Sequence, residues 1–158
     1  MNEDSDPIVW LENGRHVKNH SRDIMLGNID KIVENYKKAS KAKLKEKLAE
    51  DYFCEYLKNN KINFTRQYTC SIGIVDILSD NYIYELKYLE HKREHTSVFF
   101  KAVGQLISYN MATGNSRKMC MVINYLTESQ KVILKNLRIE FYIYNFNKIK
   151  QGFNWNKN

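Results

Sequence analysis

An α/β fold with a mixed central sheet flanked by helices is predicted by three features taken together. Segments of strand and helix character follow one another as helix, three strands, helix, strand, helix, strand. Residues 73–78 and 82–87 are rich in Val, Ile, Leu and Tyr, and they meet at Ser79-Asp80-Asn81, a turn-forming cluster. The helical segments place apolar residues three and four apart.

Composition bounds the reading. A chain of 158 residues makes one main domain with a sizeable core and room for a small appendage. A hydrophobic share of 43% and an aromatic share of 13% describe a folded protein. No apolar run approaches the ~18 residues of a membrane span. The stretch Met1 to Asp6 is acidic and polar, unlike a signal peptide. Cys54, Cys70 and Cys120 are scattered without CxxC spacing. That suits an intracellular, reducing compartment and argues against a disulfide framework, a zinc knuckle or an iron–sulfur cluster. The net charge of +7 suits a polyanionic partner such as nucleic acid.

Residues 1–38 form the expected N-terminal arm and 39–158 the main domain. Within the arm, residues 8–18 read as a β-hairpin turning at Asn13-Gly14, where both central positions need φ > 0. Residues 24–36 read as a helix from Ile29, Ile32, Val33 and Tyr36. The arm either covers part of the body or contacts a second copy or DNA through Arg15, His16, Lys18 and His20. Docking against the body is the favoured role.

Residues 37–59 read as a helix with Leu44, Leu48, Tyr52 and Tyr56 as its inward stripe, Phe53 and Leu57 beside it and Glu50 at its border. The alternation in 63–71 predicts a half-buried strand, which makes a three-stranded antiparallel meander with the next two. In the charged run 90–95, His91 and His95 have no third ligand nearby and read as solvated. Thr96 or Ser97 is the expected cap of a helix over 98–112, with Phe99, Val103, Leu106 and Ile107 facing inward. Gly104 costs that helix ~1 kcal/mol relative to Ala, which points to close packing against the sheet. Residues 119–125 read as a buried strand. Thr127 and Gln130 form a capping box for a helix through Leu137, and 141–146 are a last strand. Phe153 and Trp155 are expected to tuck back onto the body.

Asp76, Glu85 and Lys87 place charge in strands that are otherwise apolar. Glu85 and Lys87 share one strand face, roughly 6.5 Å apart. Burying a charge costs several kcal/mol unless it is paired or binds a metal. An ordinary cross-strand ion cluster is the bland explanation. The polar residues on the flanking helices, Glu50 on one and Lys101, Gln105 and Tyr109 on the other, favour a site instead.

In that arrangement the chain resembles the PD-(D/E)XK nuclease superfamily, whose core is the restriction-endonuclease-like αβββαβ fold. The resemblance covers about residues 44–146. Its carriers are Asp76, the triplet Glu85-Leu86-Lys87, Glu50 on the preceding helix and Gln105-Leu106-Ile107-Ser108-Tyr109 on the following one. The Gln-x-x-x-Tyr helix is similar to that of RecB-type nucleases, and the stretch from Glu50 to Lys87 to that of Holliday-junction resolvases. Val75 stands where proline often precedes the aspartate, at a variable position.

The resemblance implies a divalent-metal-dependent nuclease acting on DNA in repair, recombination or genome processing, as in small phage or viral nucleases. Asp76, Glu85, the Leu86 carbonyl and Glu50 would hold Mg²⁺ or Mn²⁺, since hard oxygen ligands suit those ions. Lys87 would orient the attacking water, stabilise charge growing on the phosphate or accept a proton. Gln105 and Tyr109 would position the metal or the scissile phosphate. Arg66, Lys92, Arg93, Lys101, Arg117 and Lys118 are candidate phosphate contacts. Resolving a junction would require a homodimer. A nucleic-acid-binding module that keeps the fold without turnover is the alternative.

Overall fold

The computed structural model describes residues 15–152, 155 and 157. The chain divides into two compact units, Met1–Lys41 and Ala42–Asn158. Helix α1 (Arg15–Asn59) contributes residues to both. Of the hairpin expected over 8–18, residues 8–14 lie outside the described residues and 15–18 are helical. The side chains of Arg15, His16, Lys18 and His20 are likewise not among the described ones. The separate helices expected over 24–36 and 37–59 are one, because the Lys- and Ala-rich stretch between them carries no Gly or Pro to stop it. Ile29, Ile32, Val33 and Tyr36 are exposed, so their spacing signals helix and not a buried face.

In the larger unit, β1 (Phe64–Cys70), β2 (Gly73–Ser79) and β3 (Tyr82–Lys87) form the antiparallel meander. Ser79 closes its second turn, accepting the Tyr82 N–H through Oγ at 2.9 Å. Helix α2 (His95–Ala112) crosses to β4 (Lys118–Ile123), and α3 (Glu128–Asn136) to β5 (Ile139–Ile143). Both β4 and β5 run parallel to β3, giving a five-stranded mixed sheet in the order β1-β2-β3-β4-β5. A short helix, α4 (Phe146–Lys150), follows. This is the expected α/β architecture, a mixed sheet flanked by helices. No helix among the described residues is long and apolar enough to cross a membrane.

Two apolar layers sandwich the sheet. Phe53 and Leu57 of α1 pack with Ile77, Tyr84, Leu86, Val122 and Tyr142. On the other face, Phe99 and Leu106 of α2 and Leu134 of α3 cover Ile83, Met121, Ile123 and Phe141. Trp155 does tuck back, its ring 5.0 Å from that of Phe53, and Lys157 forms an antiparallel bridge to Tyr142. Phe153 lies outside the described residues.

Local expectations fared unevenly. Thr127 accepts the Gln130 N–H while the Gln130 side chain accepts that of Thr127, the expected capping box. Neither Thr96 nor Ser97 caps α2. A 3-10 turn, Lys92–Glu94, feeds straight into it, so Glu94 is already near-helical and no extended cap residue precedes the helix. The inward face of α1 is Ala49, Phe53, Cys54 and Leu57, whereas Leu44 and Leu48 are exposed. Gly104 faces outward with nothing within 4 Å of where a Cβ would stand, so close packing does not explain it.

Gly104→Ala is therefore expected to raise stability by ~0.5–1 kcal/mol. Phe53→Ala should lower it by about 3–5 kcal/mol, because the site cannot collapse beneath the ring of aromatic neighbours. Urea unfolding midpoints measure both, and a Gly104→Ala loss would mean that the glycine has a packing or backbone role after all.

Candidate active site

Strands β2 and β3 part company at Asp76. Their rungs are Leu78 with Ile83 and Ile77 with Tyr84, and pairing stops there. On the other side, the β1–β2 ladder skips the rung that would join Gln67 to Asp76. Gln67 takes φ 48°, a left-handed conformation costing a non-glycine residue of order 1–3 kcal/mol. Val75 and Ile77, two apart, fall in opposite apolar layers, although alternate residues of a regular strand share a face. Strand β2 thus reverses its facing at Asp76. The gap is bridged by a side chain: the Leu86 N–H donates to Asp76 Oδ2 at 2.8 Å. Because the N–H and C=O of a strand residue leave the same edge, the Leu86 carbonyl is directed to that gap too.

Glu85 and Lys87 flank Leu86 and form a 2.9 Å ion pair. Glu85 is only 2% exposed, and its second oxygen, Oε2, is buried without a hydrogen-bond partner. Burial and then the charge of Asp76 push the Glu85 carboxyl up to about 8. Burial likewise raises Asp76 to about 6 against the opposing Leu86 hydrogen bond. Burial alone would lower Lys87, but attraction to Glu85, Glu46 and Asp76 raises it, so its ammonium is held protonated.

The adjoining end of α1 faces this cluster through Glu46 as well as Glu50. Glu46 Oε2 accepts the Tyr88 N–H at 3.3 Å, and its carboxyl is raised by burial, with Lys87 opposing. Glu50 is buried but fully engaged. Arg66 Nε and Nη2 reach its Oε1 at 3.0 and 2.9 Å, and Gln67 Nε2 donates to both its oxygens at 3.2 and 3.1 Å. Sequence reasoning missed Glu46 because it took Leu44 and Leu48 as the inward stripe. With Ala49, Phe53 and Leu57 inward, Glu46 and Glu50 fall on the same side of the helix.

Gln105 and Tyr109 lie on α2, and neither makes a hydrogen bond or ion pair with Asp76, Glu85 or Lys87. Gln105 Oε1 is buried and unpartnered. Tyr109 lies over Gly73 at the start of β2, where a Cβ would stand 3.0 Å from its hydroxyl. A larger residue there would have to push the ring away by a few tenths of an ångström. Lys101 is exposed yet close enough to draw down the Glu46 carboxyl slightly.

The remaining basic candidates are not gathered here. Arg66 is committed to Glu50 and to Asp51, the latter at 2.8 Å. Lys92 sits 4.9 Å from the Tyr125 ring centroid, and Arg93 is exposed in the 3-10 turn. Arg117 donates to the carbonyls of Ser79 and Thr113 at 2.7 and 3.0 Å. Lys118 pairs with Tyr82 at the far end of β3, roughly 16 Å along the strand from Lys87. His95 meets the Gln130 amide at 3.0 Å, as a structural contact.

The donor set fits a divalent cation on one specific ground: a buried acceptor, Glu85 Oε2, has no partner beside Asp76. Among the described residues no group of three Asp, Glu, His or Cys side chains is placed to hold a metal ion. Two carboxylates completed by water and substrate oxygens are a common arrangement for Mg²⁺.

Fold and site together define an α/β protein with two carboxylates and a lysine gathered at a fork in a mixed sheet. No protein-family model and no curated protein matches the chain. Among solved structures it is similar to an XisH family protein from Nostoc punctiforme PCC 73102, with a TM-score of 0.50 and 18% identity over 67% of this chain and 96% of that one. It is also similar to a repair endonuclease from Pyrococcus abyssi, with a TM-score of 0.45 and 20% identity, covering 61% of this chain and 46% of that one. At these identities the likeness concerns the fold alone.

The carboxylate pair gives stability a defined pH dependence. Both groups titrate higher folded than unfolded, so their contribution is complete below pH ~4 and is lost as pH rises through about 6 for Asp76 and about 8 for Glu85. Without divalent cations, the wild type should lose a few kcal/mol between pH 5 and 9 relative to Glu85→Gln, whose profile is flatter whatever its absolute stability. Urea unfolding across that range reads the slope. A wild-type profile parallel to that of the variant would refute the assignment.

Proposed function

We propose that this protein is a divalent-metal-dependent nuclease that hydrolyses DNA phosphodiester bonds, in keeping with the PD-(D/E)XK pattern of its sequence. The observation that carries the reading is the buried, unpartnered Glu85 Oε2 beside Asp76, two carboxylates that repel each other at the fork. Such a pair costs stability unless a cation joins it. Asp76, Glu85 and the Leu86 carbonyl would hold Mg²⁺ or Mn²⁺, with Glu46 nearer to that duty than Glu50, whose oxygens are already occupied. Bound there, the cation supplies Lewis-acid polarisation of the phosphodiester and acidification of a water.

The chain's own groups do the rest. Lys87, held protonated, contributes positive charge where the phosphate oxygens gain negative charge; that is a different part from accepting a proton. Gln105 Oε1 is a buried acceptor awaiting a donor, a need that a bound water would meet. Tyr109, seated on Gly73, fixes the position of α2 beside β2. The net charge of +7 favours a polyanionic substrate.

Single-stranded, duplex, flap and four-way-junction DNA incubated with Mg²⁺ or Mn²⁺ tests the reading. Cleavage by the wild type should cease with a chelator and fall by about 10²-fold or more in Asp76→Ala, Glu85→Ala and Lys87→Ala. Glu46→Gln should cost more activity than Glu50→Gln. Residual cutting equal in all proteins would sink the proposal. Salt-sensitive binding without metal-dependent cleavage would replace it with a non-catalytic binding module.

Calorimetry gives an independent check. Because Glu85 must lose its proton to take a cation, Mn²⁺ affinity should rise from pH 6 to 8, with protons released on binding. Affinity that is flat over this range would exclude Glu85 as a ligand.

A further inference from the structure

A cleft lies where the three parallel strands end. Tyr88, Asn124 and Tyr144 are each the residue immediately after β3, β4 and β5, and together with α4 and Lys45 they enclose a cleft of about 460 Å³. Its size is within the range of small-ligand sites, and the carboxyl ends of parallel strands are where open α/β sheets bind ligands. The cleft shares its wall with the fork. Tyr88 follows Lys87, its N–H is held by Glu46, and Tyr144 Oη donates to the Lys87 carbonyl at 2.9 Å.

The lining has a distinct chemistry. Lys45 and Lys150 supply positive charge, Tyr88 and Phe146 supply aromatic surface, and Asn145 and Asn147 supply amides; among the described residues no carboxylate lines the cleft. The Tyr88 and Phe146 rings meet edge to face at 5.8 Å. Lys45 Nζ lies 5.2 Å from the Tyr88 ring centroid and 3.2 Å from its hydroxyl, which fixes the ring. Glu90, outside the lining, holds Lys45 at 3.3 Å and offsets part of its charge. Asn145 Oδ1 accepts the Lys148 N–H at 3.1 Å, which leaves its amide nitrogen free to donate.

We propose that this cleft receives one unpaired nucleotide of the strand being cut, with its base against Tyr88 and Phe146 and its phosphate near Lys150. The proposal deepens the nuclease reading and rests on it for the identity of the polymer. Cations alone would suit any anion, and aromatic rings alone any apolar group. Both, with neutral amides and no acidic group among the described lining residues, match a base joined to a phosphate. Stacked duplex bases cannot present a face to a ring, so the substrate is single-stranded or unpaired next to the scissile bond. Specificity for such a structure needs no base-reading element.

Binding measured in a chelator separates this inference from catalysis. A fluorescent oligothymidylate is compared with an abasic strand of equal length by anisotropy. The wild type should bind the base-bearing strand more tightly. Tyr88→Leu and Phe146→Leu should each weaken that complex by about 5- to 150-fold and leave the abasic complex unchanged. Lys150→Ala should weaken both strands and flatten the salt dependence by about 0.7 in log–log slope. If Tyr88→Leu does not fold, Phe146→Leu decides alone, since its ring lies at the rim. Equal wild-type affinity for the two strands, or leucine variants that bind both as the wild type does, would overturn the proposal. Base-dependent binding without any cleavage would uphold it while removing the nuclease reading.

Discussion

The hydrogen bond from the Leu86 N–H to Asp76 Oδ2 occupies the point on which the site depends. Had β2 continued its ladder past Ile77, the backbone would have satisfied Leu86 and the Asp76 side chain would have belonged to one face of a continuous sheet. With the ladder open, a carboxylate takes the place of a missing backbone acceptor, and that obligation fixes its position between the strands. Gln67 carries the complementary distortion in β1 with its left-handed φ of 48°. Glu50, gripped by Arg66 and Gln67, braces the distorted strand against α1. Bulges and strained backbone positions persist where surrounding structure over-determines them, and such positions cluster at functional sites.

The electrostatics follow from that geometry. Asp76, Glu85 and Glu46 are brought together with a single lysine, and burial raises all three carboxyls. An apolar replacement of similar volume would cost the fold less, as buried ion clusters rarely add net stability. A purely structural cluster would also pair its atoms, yet Glu85 Oε2 is left without a partner in a well-packed interior. The carboxylates at the fork therefore cost the fold local stability.

Much of this was legible in the sequence, and the failures share a cause. The element order and the Asp76, Glu85 and Lys87 cluster could be read because strand periodicity is two and charge in an apolar strand is conspicuous. Trp155 could be read because a lone large aromatic in a polar tail has few places to go. The inward phase of α1 was misread by about one position: Leu44 and Leu48 outweighed Ala49, although it is the small residue that lets the helix approach the sheet. That error hid Glu46. The partners of Arg66 and Arg117 across the fold are likewise invisible in one dimension. The unpaired rung at Gln67 left no mark either, since glutamine is not a residue that advertises a left-handed turn.

Lys45 and Glu46 show how the cleft and the fork are joined. Consecutive residues on a helix point about 100° apart, so Lys45 can reach Tyr88 and Glu90 while Glu46 holds the Tyr88 backbone beside Lys87. Tyr88 is therefore grasped twice from one turn of α1, by its hydroxyl and by its N–H. Any group seated against its ring is placed at a fixed distance from Lys87, the next residue along the same rigid strand end. Tyr144 adds a second tie through the Lys87 carbonyl. A base held in the cleft would set the register of its phosphate relative to the fork, and binding energy gained away from the reacting bond would be used for orientation at it.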